Sequence, residues 1–192
     1  MRSICIMIFL AIGCNPPKGT TSSANLSAKD VIQVANERYE LAEGPLFRLD
    51  QEKFNDLLKS LSSEELRNDL YQPLQFRYYD SAGKLKVLYA NCDVPYKKKK
   101  GEYIWYWNKY GTFNSFPPTE PVPNSYLEEL NISEELSSYV PLNTEEFRFN
   151  ANHPSIVVFW SHNLSKQSLN LIELVKNYST NTKTNYLYVH VE

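Results

Sequence analysis

Apolar residues recur every three to four positions in the region after residue 26, which is the spacing of a helix with one buried face. Ser27 and Asp30 have the spacing of a capping box at the start of the first such segment, and Gly44 with Pro45 ends it. Pro73 ends the helical region as a whole. The pattern predicts three short helices, which begin after Ser27, Asp50 and Ser62.

The hydrophobic period changes from helical to strand-like after Pro73. Two pairs of strand-like segments flank turns that contain Gly83 and Gly111, as in hairpins. Four antiparallel strands in chain order would form a meander. The predicted strands are residues 74–79, Leu85–Ala90, 103–107 and 112–116.

The last part of the chain has the pattern of a strand, a helix and a second strand. Residues 156–160 are a continuous apolar run, typical of a strand that is buried on both faces. Ser165 can cap a helix, and residues 186–191 read as the second strand. These lengths predict a βαβ unit with parallel strands and a right-handed crossover. Together with the helices and the meander, the unit indicates an α+β fold.

Changes in composition divide the chain into segments. The proline-rich stretch 117–123 can be neither helix nor central strand and predicts a stiff connector. We expect the regions on its two sides to pack as one domain. The predicted segments are a leader (1–13), a modified cysteine with a flexible tether (14–26), helices plus meander (27–116), the connector (117–123) and the C-terminal region with the βαβ unit (124–192).

The leader combines Arg2 with an apolar run over residues 4–12 and the pair Gly13–Cys14. The run is shorter than the roughly 20 residues that a membrane-spanning helix needs, and the layout is that of a secretory signal. Residues 10–14 resemble the lipobox of bacterial lipoproteins, although Ala11 stands where leucine is preferred. The resemblance implies cleavage before Cys14, acylation of that residue, and anchorage of the protein to a membrane of the bacterial cell envelope. The alternative is that the run is a buried N-terminal strand or helix.

The charge, the cysteine count and the absence of known motifs in the sequence argue against nucleic-acid binding, disulfides, metal sites and catalysis. A formal net charge of −2 argues against a nucleic-acid binder, which would be basic. Cleavage would remove Cys5 and acylation would use Cys14, which leaves Cys92 without a disulfide partner. The three histidines lack metal-ligand spacing, and no nucleophile elbow or phosphate-binding glycine loop is present. We expect no catalytic residue, metal or cofactor.

Two neighbouring features are candidates for binding. The alternation of a strand places the side chains of Tyr103, Trp105 and Trp107 on one face. If this face is covered, the rings are part of the core. If it is exposed, the rings would suit the apolar face of a glycan or an envelope protein. Four consecutive lysines will not be buried, so they form a solvated loop or contact an anionic surface. The candidate residues are Tyr103, Trp105, Trp107, Lys97, Lys98, Lys99 and Lys100.

Residues 155–192 resemble the first half of a thioredoxin-like domain, in which a strand ending in Phe-Trp leads to a Cys-x-x-Cys loop, a helix and a second strand. Phe159 and Trp160 match the end of that strand. The family's two cysteines would fall at Leu164 and Gln167, so the resemblance implies a relative without dithiol chemistry. The resemblance covers residues 155–192 only, and the family's later hairpin and helices are not part of it.

These observations predict a non-catalytic envelope lipoprotein that acts in binding or scaffolding. One alternative is a redox-inactive or truncated thioredoxin-like protein. Another is a protein that contacts an anionic membrane surface through its lysine run.

Overall fold

The computed structural model describes residues 26–41, 44–90, 106–107, 111–112, 127, 129–143, 150, 152–179 and 183–192. The helices in these ranges are α1 (Ala28–Tyr39), α2 (Gln51–Ser60), α3 (Glu64–Leu70), α4 (Ile132–Glu135) and α5 (Ser165–Ser179). The strands are β1 (Leu46–Leu49), β2 (Gln75–Tyr79), β3 (Leu85–Ala90), β4 (Tyr106–Trp107), β5 (Gly111–Thr112), β6 (Tyr139–Pro141), β7 (Ser155–Trp160) and β8 (Asn185–His190). Short 3-10 turns at Leu136–Ser138 and His162–Leu164 follow α4 and precede α5.

Six strands form one mixed sheet in the order β3-β2-β7-β8-β1-β6. The central strands β7, β8 and β1 are parallel to one another. The outer strands β2, β3 and β6 are antiparallel to their neighbours. Helices packed on a mixed sheet confirm the predicted α+β class. Strands from both sides of segment 117–123 share this sheet.

The predicted βαβ unit is confirmed. All six residues of β7 are buried, as its continuous apolar run predicts for a strand covered on both faces. β7 pairs with β8 in parallel from Ser155↔Asn185 to Trp160↔His190. The helix between them, α5, has Ser165 as its first residue, whereas the sequence predicts Ser165 as the cap before the helix.

Each face of the sheet is covered by a different set of helices, because alternate strand residues point to opposite faces. One core contains residues of α1 and α5 together with Ile156, Val158 and Trp160 of β7. The other contains residues of α2, α3 and α4 together with Val157 and Phe159. β7 therefore contributes to both cores.

The predicted start of α1 is confirmed in detail. Ser27 and Asp30 form a reciprocal capping box, which satisfies backbone donors at the start of the helix. The helix ends at Tyr39, before the predicted end at Gly44 and Pro45, because Glu40 adopts the left-handed conformation with φ of 52°. Lys176 of α5 donates to the carbonyls of Tyr39 and Glu40 at 2.8 and 2.7 Å, which ties the end of α1 to α5.

The start of α3 differs from the prediction by one residue. The cap is Ser63, whose side chain accepts a hydrogen bond from the amide of Leu66. Ser62, the predicted cap, instead donates through its amide and its hydroxyl to Glu129. A residue distant in sequence thus decides between two adjacent serines that are equivalent by local rules.

The antiparallel region also differs from the prediction in its pairing. The hairpin of β2 and β3 forms as predicted, with Gly83 at φ of +79° in its turn. The described residues of the second hairpin, β4 and β5, pair with each other in a separate two-stranded sheet rather than extending the first hairpin. Strands β1 and β6 were not predicted. The possible strand at residues 147–149 and the connector at 117–123 lie outside the described residues.

Candidate functional site

The carboxyl ends of the three parallel strands place chemically distinct side chains in one row. His190 ends β8, and its register partners are Trp160 on β7 and Arg48 on β1. Residues paired in register point to the same face of a sheet, here the face covered by α1 and α5. In open sheets of this kind, the carboxyl ends of parallel strands are where ligands commonly bind.

His162 completes the row from the turn that follows β7. Its Nδ1 lies 3.0 Å from Nε2 of His190, and the two rings are stacked at 23° with centroids 5.3 Å apart. His190 is fully buried and His162 is partly buried. One nitrogen of the pair must carry the shared proton, because neutral imidazole has one donor and one acceptor.

Burial first, and then the nearby His162 and Arg48, together lower the pKa of His190 to about 4. The physical cause is that a charged imidazolium loses its hydration inside the protein and meets the positive guanidinium of Arg48. His190 is therefore neutral at pH 7 and acts as a hydrogen-bonding group rather than as a charge.

Two aromatic side chains extend the row into the core. The Trp160 ring meets His190 edge-on at 4.8 Å and Tyr39 of α1 edge-on at 5.0 Å. We call Tyr39, Trp160, His162, His190 and Arg48 the carboxyl-edge cluster.

Several polar atoms of the carboxyl-edge cluster are buried without a hydrogen-bond partner in the described part of the chain. An unsatisfied buried donor or acceptor costs about 1–3 kcal/mol, so such atoms are rare in folded proteins. Their concentration in one row indicates a place that water or a ligand can satisfy. The atoms are Nε1 of Trp160, Nδ1 of His190 and Nε of Arg48.

Arg48 and Glu192 form the rim of the cluster, with side chains 29% and 31% exposed. Nε of Arg48 lies 4.0 Å from Oε1 of Glu192, which is an ion-pair distance but too long for a hydrogen bond. Arg48 also donates through Nη2 to the carbonyl of Leu26 at 2.5 Å. The rim therefore holds one positive charge that is only loosely neutralised.

The cluster is not a metal centre by the chemistry of its side chains. No three histidine, cysteine, aspartate or glutamate side chains are grouped to hold a metal ion in the ranges that the structure describes. Two histidines beside a guanidinium provide few ligands and an unfavourable charge for a cation.

A second buried polar group lies on the opposite face of the sheet. Arg77 of β2 forms an ion pair with Glu135 of α4, and Tyr79 donates to the same carboxylate. Arg77 also lies 4.1 Å above the Phe159 ring and donates through Nε to Gln75 at 2.9 Å. Arg77, Tyr79 and Glu135 are all fully buried, so the group connects α4 to the sheet and offers no surface to a ligand.

A surface groove of about 740 Å³ lies between α2 and the segment around α4. It is lined by charges of both signs, among them Lys53, Asp56 and Glu134. Glu129 in the same groove already accepts hydrogen bonds from Ser62 and Ser63. None of the side chains that line the groove has a buried polar atom without a hydrogen-bond partner in the described part of the chain, unlike the carboxyl-edge cluster.

Most binding residues predicted from sequence lie outside the described residues. Cys14, Tyr103, Trp105 and the lysine run are in this set. For Trp107 the structure gives the backbone, which pairs with Gly111 in the separate two-stranded sheet, and not the environment of its side chain.

The two positions where the thioredoxin-like family has cysteines lie beside the cluster. Leu164 ends the 3-10 turn that contains His162, and Gln167 lies in the first turn of α5. Both side chains are partly buried. Neither side chain can form a thiolate, so dithiol exchange has no chemical basis at these positions.

The histidine pair was missed from the sequence because only local spacings were tested. His162 and His190 are 28 residues apart, far from any local ligand motif. The signal was present in another form, since each histidine lies at the carboxyl end of a strand of the predicted parallel pair. Parallel strands of one βαβ unit bring those ends together.

Comparisons with known proteins do not assign the chain to a group. Within the described residues, no helix is both long and apolar enough to cross a membrane. No protein-family model, curated protein or solved structure matches this chain.

Proposed function

We propose that this protein is an exported, lipid-anchored component of a bacterial cell envelope that acts in binding or scaffolding rather than in catalysis. The observation that carries the proposal is the leader, with Arg2, the apolar run 4–12 and the pair Gly13–Cys14. Acyl chains on Cys14 would hold the chain at a membrane, because each buried methylene contributes about 0.8 kcal/mol.

The position of the first helix is compatible with a tether. The capping box of α1 begins at Ser27, so a short segment with proline, glycine and serine separates the folded part from Cys14. A flexible segment of this length spans roughly 20 Å. The domain would therefore work close to the membrane surface, within reach of envelope proteins and glycans.

The binding face in this proposal is the aromatic strand with Tyr103, Trp105 and Trp107. Flat rings beside polar groups suit glycan faces or partner proteins. The neighbouring lysines 97–100 support a variant of the proposal, in which the domain also contacts anionic head groups.

A redox-inactive thioredoxin-like origin is the second candidate. It is supported by Phe159–Trp160 at the end of β7 and by the βαβ unit that follows. In the family the hairpin follows this unit along the chain, whereas the β2–β3 hairpin precedes it here and lies beside β7. Such an origin would therefore require a rearranged order of elements.

The proposed lipid anchor is tested by measuring the intact mass of the mature protein from membrane fractions of an expressing bacterium. A Cys14→Ser variant is measured beside it. We expect the chain to begin at Cys14 and to carry acyl chains, and the variant to lose both features. An uncleaved and unacylated wild-type chain in the soluble fraction would contradict the proposal.

The membrane-contact variant is tested with the acyl-free domain and vesicles that contain anionic lipid. Replacement of lysines 97–100 by glutamine should abolish binding, and added salt should weaken the binding of the unaltered chain. Replacement of Tyr103 and Trp105 by serine is the matched test for the aromatic face, read out as lost binding to envelope glycans.

A further inference from the structure

We propose that the carboxyl-edge cluster is a binding site for a small molecule with a single carboxylate group. The site lies at the end of the parallel strands and is separate from the aromatic strand of the proposed function. The inference does not depend on lipid anchoring or on the family resemblance.

The atoms of the cluster without hydrogen-bond partners are donors, so a ligand must bring acceptors. Nε1–H of Trp160 and Nε–H of Arg48 can only donate. Nδ1 of His190 can donate as well, in the neutral tautomer whose Nε2 accepts from Nδ1–H of His162. A group that brings oxygen acceptors would satisfy these donors, whereas a cation or another donor would not.

The charge of the cluster sets the charge of the ligand. Arg48 contributes one positive charge, and His190 contributes none at pH 7. Glu192 offsets the charge of Arg48 in the free protein. A monoanion that displaces Glu192 from Arg48 keeps that balance, while a dianion such as phosphate would add an uncompensated negative charge. The planar guanidinium also fits a carboxylate with two parallel hydrogen bonds.

Glu192 marks the place where the ligand would enter. Its carboxylate lies 4.0 Å from Nε of Arg48 without forming a hydrogen bond, and both side chains are partly exposed. A free carboxylate can replace this loosely held group without disturbing the core. In the proposed complex, the ligand accepts from Arg48 and lies between the rim and the histidine pair.

The experiment follows the indole N–H resonance of Trp160 in the ¹⁵N-labelled protein during titration with acetate, and then with inorganic phosphate. The resonance is assigned with a Trp160→Phe variant. We expect a saturable shift with acetate and a dissociation constant at least tenfold weaker for phosphate. No saturable shift with acetate, or tighter binding of phosphate, would overturn the proposal.

Three variants locate the site. Arg48→Lys keeps the positive charge but loses the planar guanidinium that donates two parallel hydrogen bonds, and it should weaken acetate binding about tenfold. Glu192→Gln removes the competing carboxylate and should tighten it severalfold. His153→Gln, away from the cluster, should leave it unchanged. Equal affinities in Arg48→Lys and the unaltered chain, at unchanged circular dichroism, would show that acetate binds elsewhere and would overturn the proposal.

Discussion

At the residue scale, the contact between α4 and the sheet depends on the fully buried ion pair of Arg77 and Glu135. Burial lowers the pKa of Arg77 because the charged guanidinium loses hydration. Glu135 supplies the opposite charge from α4. Breaking a buried pair costs more than the pair contributes, because the remaining charge stays buried without compensation.

Glu135→Gln is therefore expected to lower the free energy of unfolding by about 3–5 kcal/mol. Arg77 would keep only neutral acceptors, the side chain of Gln75 and the carbonyl of Leu70. Urea unfolding measures the change. The double variant Arg77→Met/Glu135→Leu should recover most of the loss, and a single-variant cost under about 1 kcal/mol would contradict the expected role of the pair.

A second prediction at the residue scale is that the free energy of unfolding depends on pH through His190. Its pKa falls from 6.5 to about 4 on folding, so the unfolded chain binds a proton at a higher pH than the folded chain. The stability that this residue contributes is present above pH 6.5 and is lost as the pH falls toward 4. The loss is on the order of 3 kcal/mol.

Urea unfolding at pH 7 and pH 4.5 tests this loss in the unaltered chain, in His190→Gln and in the control His153→Gln. The His190 variant should lose less stability between the two pH values than the other two proteins. Carboxyl groups titrate in all three proteins, so their contribution cancels in the comparison. Equal losses in all three would show that His190 is not the responsible group.

At the element scale, α5 is joined to the end of β7 by one buried hydroxyl. Oγ of Ser168 donates to the carbonyl of Ser161 at 2.9 Å and accepts from its amide at 3.1 Å. Both residues are buried, so neither backbone group has water as a substitute. This contact sets the start of the helix relative to the strand and holds the turn that carries His162.

Ser168→Ala should lower the free energy of unfolding by about 1–3 kcal/mol, because it leaves a buried amide without an acceptor. The matched control is Ser60→Ala, an exposed serine whose hydroxyl donates to Leu57 at the end of α2. The control should cost less than about 0.5 kcal/mol in the same urea unfolding series. Similar costs for the two variants would contradict the role assigned to Ser168.

The elements that were predicted correctly carry local signals, and the missed ones do not. The capping box of Ser27 and the apolar run of β7 are each contained in a few consecutive residues. β1 has four residues and β6 has three, too few for a period to be recognised. β6 even contains Pro141, which is tolerated because β6 ends the sheet order and pairs with β1 alone.

At the scale of the whole molecule, one sheet serves two cores. Val157 faces the core with α2, and Val158 faces the core with α1 and α5. Both valines are fully buried in β7, which pairs with β2 and β8. Loss of packing on either face should therefore destabilise the shared sheet rather than one half of the protein.

Val157→Ala and Val158→Ala should each lower the free energy of unfolding by about 2 kcal/mol. Each variant should retain a single transition in urea, with coincident changes in circular dichroism and in the hydrogen exchange of β7 amides. Two separate transitions in either variant would show that the two cores unfold independently.

Local physical chemistry in the sequence alone determined the starts of α1 and α2, the β2–β3 hairpin and the βαβ unit, because caps, turns and periodicity act over a few residues. Tertiary structure decided the rest. Pairing of β1 between β8 and β6 brought Arg48 beside His190, and the parallel register brought His162 to the same edge. Such contacts join residues 28 or more positions apart, and their free energy depends on burial and register, which no local pattern contains.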